Sequence, residues 1–307
     1  MPSSDPDRLA SLDAGAAVDR YIAVAARLPR ASFPAESIRR AHLGELVEEI
    51  DCFVLDGFGV LNVGDQAVPG AAARVESLRA AGCEVRVLTN GASFPSNRTR
   101  TKYAHWKMAF EERDVISSRD ALARGLADDA ERLWGFAALP GSEIERLAPN
   151  AFLLGDDPDD YARAEGFVLL GSGLWNERRQ AMLATALDER RRPVLVGNPD
   201  IVAPHAGGFS REPGLFAHDL ADGGAAEPIF FGKPFGNAFE LVAETLGDID
   251  PRRVAMVGDS PHTDILGGAA FGWRTVLVTD HGLLRSLDVE SVIERSGIRP
   301  DFIVANT

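Results

Sequence analysis

Short apolar segments alternate with longer amphipathic segments along most of the chain. The apolar segments are rich in β-prone residues and predict buried strands at 52–55, 84–89, 253–257, 275–278 and 302–304. The segments between them have helical periodicity and predict helices at 71–81, 97–110, 237–246 and 265–271. Alternating strands and helices are typical of βαβ units. The pattern therefore predicts an α/β fold with a parallel sheet covered on both faces.

Two parts of the chain depart from this pattern. Residues 1–45 predict a helical extension, with helices at 8–28 and 35–49 separated by a breaker run at 29–34. The segment from 132 to 204 has its own predicted strands (152–154, 167–170 and 194–197) and a helix (177–191), enough for a smaller α/β domain. A run rich in Gly and Pro at 203–214 predicts a boundary. After it, the first sheet is expected to resume with a strand at 229–231.

Composition and charge restrict the function classes. The chain is 45% hydrophobic and 25% charged, as in an ordinary globular protein. Its net charge of −14 argues against nucleic-acid or anionic membrane partners, which require a basic surface. It has no signal-like N-terminus and no apolar run of roughly 18 residues. We therefore expect a cytoplasmic protein, in which Cys52 and Cys83 are small buried hydrophobic residues.

The first candidate for chemistry is Asp56, in the stretch CFVLDGFG. This acid follows a predicted buried strand directly and precedes a glycine turn. In open α/β sheets, ligands bind at the carboxyl ends of the strands, and glycines let backbone N–H groups approach an anion. Asp56 is therefore a candidate nucleophile or metal ligand, although Asp-Gly is also a common turn pair.

Three further strand ends carry residues that complement Asp56. Singly, each has an ordinary interpretation as a helix cap, a solvated charge or a turn residue. Together they offer a hydroxyl with free N–H groups, a lysine and two acids: Thr89-Asn90-Gly91, Lys233, and Asp259 with Asp264. Carboxylates that face a hydroxyl and a lysine describe a Mg²⁺ site that clamps a phosphate.

These motifs resemble those of the haloacid-dehalogenase superfamily, and most closely its class IIA branch. The resemblance spans roughly residues 50–282 and covers four motifs in order: Asp56-Gly57-Phe58-Gly59, Thr89, Lys233, and Gly258-Asp259 with Asp264. It implies a Rossmann-like core, at 46–131 and 213–307, with an inserted cap at 132–212 that determines specificity. It also implies a Mg²⁺-dependent phosphohydrolase acting on a small phosphorylated metabolite.

The resemblance assigns a role to each motif residue. Asp56 would form an aspartyl phosphate. Asp56, the backbone carbonyl of Phe58, Asp259 and Asp264 would hold Mg²⁺. Phosphoryl oxygens would contact Thr89, Lys233 and the amides of Asn90 and Gly91. Asn198 and Asp200, where the chain returns from cap to core, would contact substrate together with the Gly207-Gly208 region, although Asn-Pro-Asp is also typical of a turn.

One position departs from the family pattern. Its phosphatases carry a second Asp two residues after the nucleophile, as the general acid and base, and here that residue is Phe58. General acid–base catalysis contributes about 10² to 10⁴-fold, so hydrolysis of unactivated esters should be slow unless another group substitutes. His262 and His205 are candidates, and a surface loop position is the alternative for each.

Phe58 leaves two other functions open. Dehalogenases of the superfamily also have an aromatic residue there, but they need no Mg²⁺, and the retained Asp259 and Asp264 count against that activity. A catalytically weak protein that binds a phosphorylated ligand or a partner protein is the other alternative. In the cap, Trp175 is a candidate for stacking on substrate or, more simply, a core residue. The two-domain design also allows a cap-mediated homo-oligomer.

Overall fold

The computed structural model describes residues 13–205, with the backbone alone at residue 205, and residues 208–307. In chain order the strands are β1 (Ile38–His42), β2 (Cys52–Leu55), β3 (Asn62–Val63), β4 (Gln66–Ala67), β5 (Glu84–Thr89), β6 (Val115–Ser117), β7 (Trp134–Ala137), β8 (Phe152–Leu153), β9 (Gly166–Leu169), β10 (Val194–Val196), β11 (Val202–His205), β12 (Gly208–Arg211), β13 (Ile229–Phe230), β14 (Val254–Gly258), β15 (Arg274–Val278) and β16 (Phe302–Asn306). The α-helices are α1 (Ala14–Ala23), α2 (Ala71–Ala80), α3 (Ser96–His105), α4 (Ser118–Leu126), α5 (Pro158–Arg163), α6 (Glu177–Glu189), α7 (Pro213–Asp222), α8 (Gly236–Ala243), α9 (Leu266–Phe271) and α10 (Val289–Ser296).

The larger sheet has seven parallel strands in the order β1-β16-β15-β14-β2-β5-β6. Successive residues of β2 pack into different apolar clusters. Phe53 and Leu55 lie in a cluster with α2, whereas Cys52 and Val54 lie in a cluster with α8. Because side chains alternate between the faces of a strand, both faces of the sheet are covered. The prediction of an α/β fold with a parallel core sheet is confirmed.

A smaller parallel sheet of five strands follows the order β13-β10-β9-β7-β8. Helices α6 and α7 pack on it through Leu183, Leu187, Phe216 and Leu220. The expected strand at 229–231 was assigned to the wrong sheet: β13 pairs with β10, with Ile229 opposite Leu195. A strand of two residues is too short for its hydrophobic pattern to specify which sheet it joins.

The N-terminal region also differs from the prediction. Helix α1 begins after Asp13, whose side chain accepts a hydrogen bond from the Ala16 N–H at 2.7 Å. The predicted helix at 35–49 is wrong, because β1 pairs in parallel with β16, with Ile38 opposite Phe302. This pairing joins segments more than 250 residues apart, so a local helical pattern does not report it.

The segment predicted as a linker at 203–214 contains regular structure. Strands β11 and β12 form an antiparallel hairpin, and α7 begins directly after it at Pro213. The domain limits at residues 45, 131 and 212 stay predictions, and the five-stranded sheet itself runs to Phe230. Among the described residues, no helix combines the length and apolar character that crossing a bilayer requires.

Candidate active site

Asp56 lies at the carboxyl end of a strand in the interior of the seven-stranded sheet. Its N–H donates to the Val257 carbonyl oxygen at 2.8 Å, which extends the pairing of β2 with β14 by one residue. The residue is 8% exposed, and the Gly57 N–H donates to its Oδ1 at 2.7 Å. A Cβ at Gly57 would lie 2.7 Å from the hydroxyl of buried Tyr103, so a larger residue there would displace that side chain. The carboxylate is therefore fixed just beyond the strand.

Asp259 and Asp264 lie beside Asp56. Asp259 follows β14, the strand next to β2, and Asp264 lies in the turn after it. The three buried acids each offer an oxygen within 4.8 Å of the others. Asp259 Oδ2 accepts a hydrogen bond from the Leu283 N–H at 2.6 Å, and Asp264 Oδ2 accepts one from the Ser260 N–H at 3.1 Å. The structure thus brings together the three acids that the strand ends indicated.

Lys233 is the cation within this acidic cluster. Its Nζ lies 2.6 Å from Oδ1 of Asp56 and 2.6 Å from Oδ1 of Asp264, and the residue is 1% exposed. Burial lowers the pKa of the ammonium, but the charges of Asp264, Asp56 and Asp200 outweigh burial and hold the pKa above its usual value. Lys233 is therefore positively charged at neutral pH.

The three carboxylates can carry more negative charge than the Lys233 ammonium beside them can neutralise. Burial raises the pKa of Asp56 to about 7, with Lys233 opposing the shift and Asp264 adding to it. Burial also raises the pKa of Asp259 well above its usual range, with further contributions from Asp264 and Asp56. A bound cation would relieve this repulsion, and carboxylate oxygens are the donors that hard divalent cations prefer. The donor set therefore fits a divalent metal ion.

Thr89 ends the neighbouring strand β5, and Asn90 follows it directly. The Asn90 side chain donates to Asp200 Oδ1 at 2.8 Å and to the Lys233 carbonyl at 2.9 Å, and its Oδ1 accepts from the Lys233 N–H at 2.8 Å. The Gly91 N–H donates to Thr89 Oγ1 at 3.1 Å. The Asn90 amide therefore holds three segments of the site together.

Two neighbouring cavities open onto these groups. The first has a volume of about 30 Å³ and is lined by Asp56, Phe58, Thr89, Asn90, Asp200, Asp259 and Tyr21, among others. The second, of about 330 Å³, shares Phe58, Asp200 and Ala203 with the first and also contacts Gly91, Asn198 and Glu212. The nucleophile candidate thus faces a small cavity that adjoins a larger one.

Asn198, Asp200 and Glu212 form a hydrogen-bonded group at the larger cavity. The Asn198 amide donates to Glu212 Oε2 at 3.1 Å, and Asn198 Oδ1 accepts from the Asp200 N–H at 3.0 Å. Burial raises the pKa of Asp200 to about 7, and burial does the same for Glu212. Of the Gly207-Gly208 region, Gly207 lies outside the described residues and Gly208 begins β12.

Neither candidate histidine is shown to replace the missing acid. His262 is 1% exposed, so the alternative of a surface position is wrong, and its ring stacks on Tyr21 with the centroids 4.9 Å apart. Burial lowers the pKa of His262 to about 4, which leaves the ring neutral at neutral pH. The side chain of His205 lies outside the described part of the chain.

Trp175 is a core residue of the smaller sheet. It packs in the cluster that contains Phe167 and Leu183, and its Nε1 donates to Gln180 Oε1 at 2.8 Å. The simpler of its two predicted roles is confirmed. Cys52 and Cys83 are buried free thiols, as predicted.

Several residues that line these cavities have no signal in the sequence, among them Tyr21 and Lys102. Tyr21 comes from α1, where no chemistry was predicted, yet its hydroxyl accepts a hydrogen bond from the Ile201 N–H at 3.0 Å and its side chain lines the smaller cavity. Lys102, on α3, lines the larger cavity beside Phe58. Both lie on helices without a motif, so only their packing reveals them.

Comparison with protein-family models finds two matches. Residues 53–145 match the family described as haloacid dehalogenase-like hydrolase, and residues 230–307 match the family described as HAD-hydrolase-like. The first match contains Asp56 and Thr89, and the second contains Lys233, Asp259 and Asp264.

Relatives and solved structures agree with these matches. The chain is 34% identical over 291 residues to glycerol-3-phosphate phosphatase of Gallus gallus, covering 84% of this chain and 90% of that protein. A Cytophaga hutchinsonii structure described as a possible sugar phosphatase has a TM-score of 0.76 and 24% identity, covering 87% of this chain and 98% of the other. The p-nitrophenyl phosphatase of Archaeoglobus fulgidus has a TM-score of 0.69 and 23% identity, covering 84% and 97%.

Proposed function

The chain belongs to the haloacid dehalogenase-like hydrolases, and on that premise we propose that it is a Mg²⁺-dependent phosphatase whose nucleophile is Asp56. The observation that carries this proposal is the contact of Asp56 with Lys233 inside a buried group of three carboxylates. A turn aspartate with a purely structural role would not require a buried lysine and two further acids around it.

Asp56 acts on the phosphorus atom of a phosphate monoester. One carboxylate oxygen forms the new bond to phosphorus while the bond from phosphorus to the ester oxygen breaks, and the departing alkoxide takes up a proton. Water then attacks the aspartyl phosphate, which releases inorganic phosphate and restores Asp56. Dividing the displacement in this way replaces one difficult step by two easier ones.

The chain's own groups hold the transferring phosphoryl group. Asp56, Asp259, Asp264 and the Phe58 backbone carbonyl would hold Mg²⁺, which when bound offsets the repulsion between carboxylate and phosphate oxygens. Lys233 places a positive charge beside the nucleophile, and burial keeps water from screening that charge.

Thr89 and the backbone at Asn90 and Gly91 are proposed to donate hydrogen bonds to the phosphoryl oxygens. Thr89 lines the cavity that contains Asp56, which supports this role. The Asn90 side chain, which is bonded to Asp200 and Lys233, keeps this loop in register with the lysine. These donors stabilise the charge that develops during transfer.

The larger cavity is the proposed site of the leaving group, a small phosphorylated metabolite without its phosphate. Its volume of about 330 Å³ is at the lower end of the roughly 300 to 1,000 Å³ typical of ligand pockets. Asn198 and Asp200 line it and are proposed to contact the substrate. The glycerol-3-phosphate phosphatase among the relatives acts on a molecule of this size class, which supports the assignment.

A binding protein with weak turnover is the second candidate, and Phe58 is the observation that favours it. No carboxylate follows Asp56 at that position, so an unactivated alkoxide leaves without the usual proton donor. Such a protein would still bind phosphate and metal. A dehalogenase remains the less favoured alternative, because the acids at 259 and 264 have no role in displacing a halide.

Hydrolysis of p-nitrophenyl phosphate, with Mg²⁺ and with a chelator, tests the proposal. An activated leaving group needs little protonation, so this substrate reports on the nucleophile and the metal separately from Phe58. We expect metal-dependent turnover that Asp56→Asn lowers by at least about 10³-fold, because an amide is not a nucleophile at phosphorus. The exposed Asp188 on α6 provides the control, and Asp188→Asn should retain activity.

Each alternative gives a different result in this assay. Activity that survives in a correctly folded Asp56→Asn variant would refute the nucleophile assignment. Mg²⁺ binding without any turnover of the aryl phosphate would favour the binding protein, and release of halide from a haloacid would favour the dehalogenase.

A further inference from the structure

Lys102 is a half-buried cation held by aromatic rings. Its Nζ lies 5.3 Å from the centroid of the Phe58 ring, 5.6 Å from that of Tyr103 and 5.3 Å from that of Trp106. Among the described residues it forms no ion pair with a carboxylate. Aromatic faces attract a cation without neutralising its charge. The three rings therefore fix the ammonium in place and leave it able to pair with an anion.

Lys102 lies next to the reaction centre. It lines the larger cavity, which shares Phe58, Asp200 and Ala203 with the cavity around Asp56. Arg98, one turn earlier on α3, lines the same cavity. Two cations of one helix thus face the space in which the leaving group of a substrate would lie.

The acids that share this cavity leave Lys102 available. Asp200 accepts from the Asn90 amide, and Glu212 accepts hydrogen bonds from Ser210 Oγ and the Asn198 amide. Asp65 is exposed and acts on Lys102 through its charge, without an ion pair.

Burial leaves Lys102 with a preference for an anionic partner. The Lys102 side chain is half-buried, so the ammonium has lost part of its hydration. Arg98 reaches Glu143 only at 3.5 Å, and its side chain is 52% exposed. An anion that enters the cavity would therefore gain more from contact with half-buried Lys102 than with the better-solvated Arg98.

We propose that Lys102, supported by Arg98, binds a second anionic group on the leaving group of the substrate. The substrate class is then a small phosphate monoester that also carries a carboxylate or a second phosphate. This inference rests on the proposed phosphatase function and narrows it. It also gives Phe58 a role, since the ring at this position supports the cation that selects the substrate.

Matched pairs of ligands test the subsite. Glycerol 3-phosphate and 3-phosphoglycerate share a three-carbon skeleton and differ by a carboxylate; fructose 1-phosphate and fructose 1,6-bisphosphate differ by a phosphate. Each is measured as a competitive inhibitor of p-nitrophenyl phosphate hydrolysis, so the result does not depend on its own turnover. The first pair reports on a carboxylate partner and the second on a phosphate partner.

We expect at least one doubly anionic ligand to bind roughly tenfold or more tightly than its partner, as a charge-assisted contact provides. Lys102→Met, which keeps the alkyl stem on the rings, should remove about tenfold of that preference, and Lys102→Arg should keep most of it. Arg178→Met removes one positive charge from an exposed position of α6 and should leave the preference unchanged.

Failure of the subsite is distinguishable from failure of the phosphatase assignment. Aryl phosphate turnover with no preference in either pair, or with a preference that Lys102→Met does not alter, overturns the subsite and leaves the phosphatase intact. Absence of aryl phosphate turnover overturns the phosphatase. The same pairs are then compared by calorimetric dissociation constants, where equal affinity within each pair overturns the subsite.

Discussion

The Nζ of Lys233 lies 2.6 Å from Oδ1 of Asp56, with both residues almost fully removed from water. Water screens the attraction between the two charges only weakly there, so each charged group stabilises the charged form of the other. Since Asp264 Oδ1 is equally close to the ammonium, removing the lysine would leave two buried carboxylates without their cation.

Replacing Lys233 by Met should therefore destabilise the protein. Breaking a buried ion pair from one side costs about 3 to 5 kcal/mol. The loss should be larger in chelator than in saturating Mg²⁺, because a bound cation would compensate the carboxylates. Urea unfolding under both conditions measures the difference, with Lys107→Met as the exposed control. Equal losses with and without metal would contradict a shared acidic site.

Metal binding should be visible as thermal stabilisation. At a Mg²⁺ concentration about 100-fold above its dissociation constant, binding adds about 2.7 kcal/mol, which raises the melting temperature by about 5 °C for a chain of this size. Asp259→Asn removes one of the three carboxylates, so most of the shift should vanish, whereas Asp65→Asn should preserve it. A full shift in Asp259→Asn, measured by calorimetry, would place the metal elsewhere.

An acid at position 58 should accelerate the hydrolysis of unactivated esters. Phe58→Asp supplies a carboxyl group where the side chain lines the cavity around Asp56. The expected gain with glycerol 3-phosphate is at most about 10² to 10⁴-fold, and p-nitrophenyl phosphate should respond far less because its leaving group needs little protonation. Phe58→Ala, which removes the ring without adding an acid, is the matched control. A rate no higher than that of Phe58→Ala would argue that another group already transfers the proton.

His218 should make the protein less stable in mild acid. Burial, with the charges of Arg20 and Arg27, lowers the pKa of this histidine to about 4, below its value of about 6.5 in the unfolded chain. The unfolded state therefore binds the proton first, and the stability that His218 contributes above pH 6.5 is lost as the pH falls towards 4.

The contribution of His218 can be isolated by substitution. Between pH 7 and 5 it should amount to about 2 kcal/mol. His218→Gln should lose correspondingly less stability over that interval, and His105→Gln, at an exposed position of α3, should behave as the wild type. The free energy of unfolding by urea at the two pH values gives the comparison. The same acid dependence in wild type and His218→Gln would show that the ring has the same pKa in the folded and unfolded states.

The meeting of Asp56 and Asp259 could be predicted because each follows a short apolar strand of the larger sheet; Lys233 follows β13 of the smaller sheet, and its contact with Asp56 depends on tertiary packing. Parallel strands end at one edge of their sheet, so residues far apart in sequence converge there through backbone geometry alone. The alternation of strands and helices that led to the α/β fold is likewise local. Both features follow from local sequence patterns and can be predicted without knowing how side chains pack.

Other features depended on contacts that no local pattern encodes. Residues 38–42 have a helical pattern but form β1, which pairs with β16 near the other end of the chain. The stacking of Tyr21 on His262 joins opposite ends of the chain.

The position of Lys102 over Phe58 is of the same kind, since it follows from how α3 packs against the loop after β2. The sequence thus determined which groups carry the chemistry, since strand ends meet by backbone geometry. Tertiary structure decided which side chains surround them, since packing brings together residues that share no local signal.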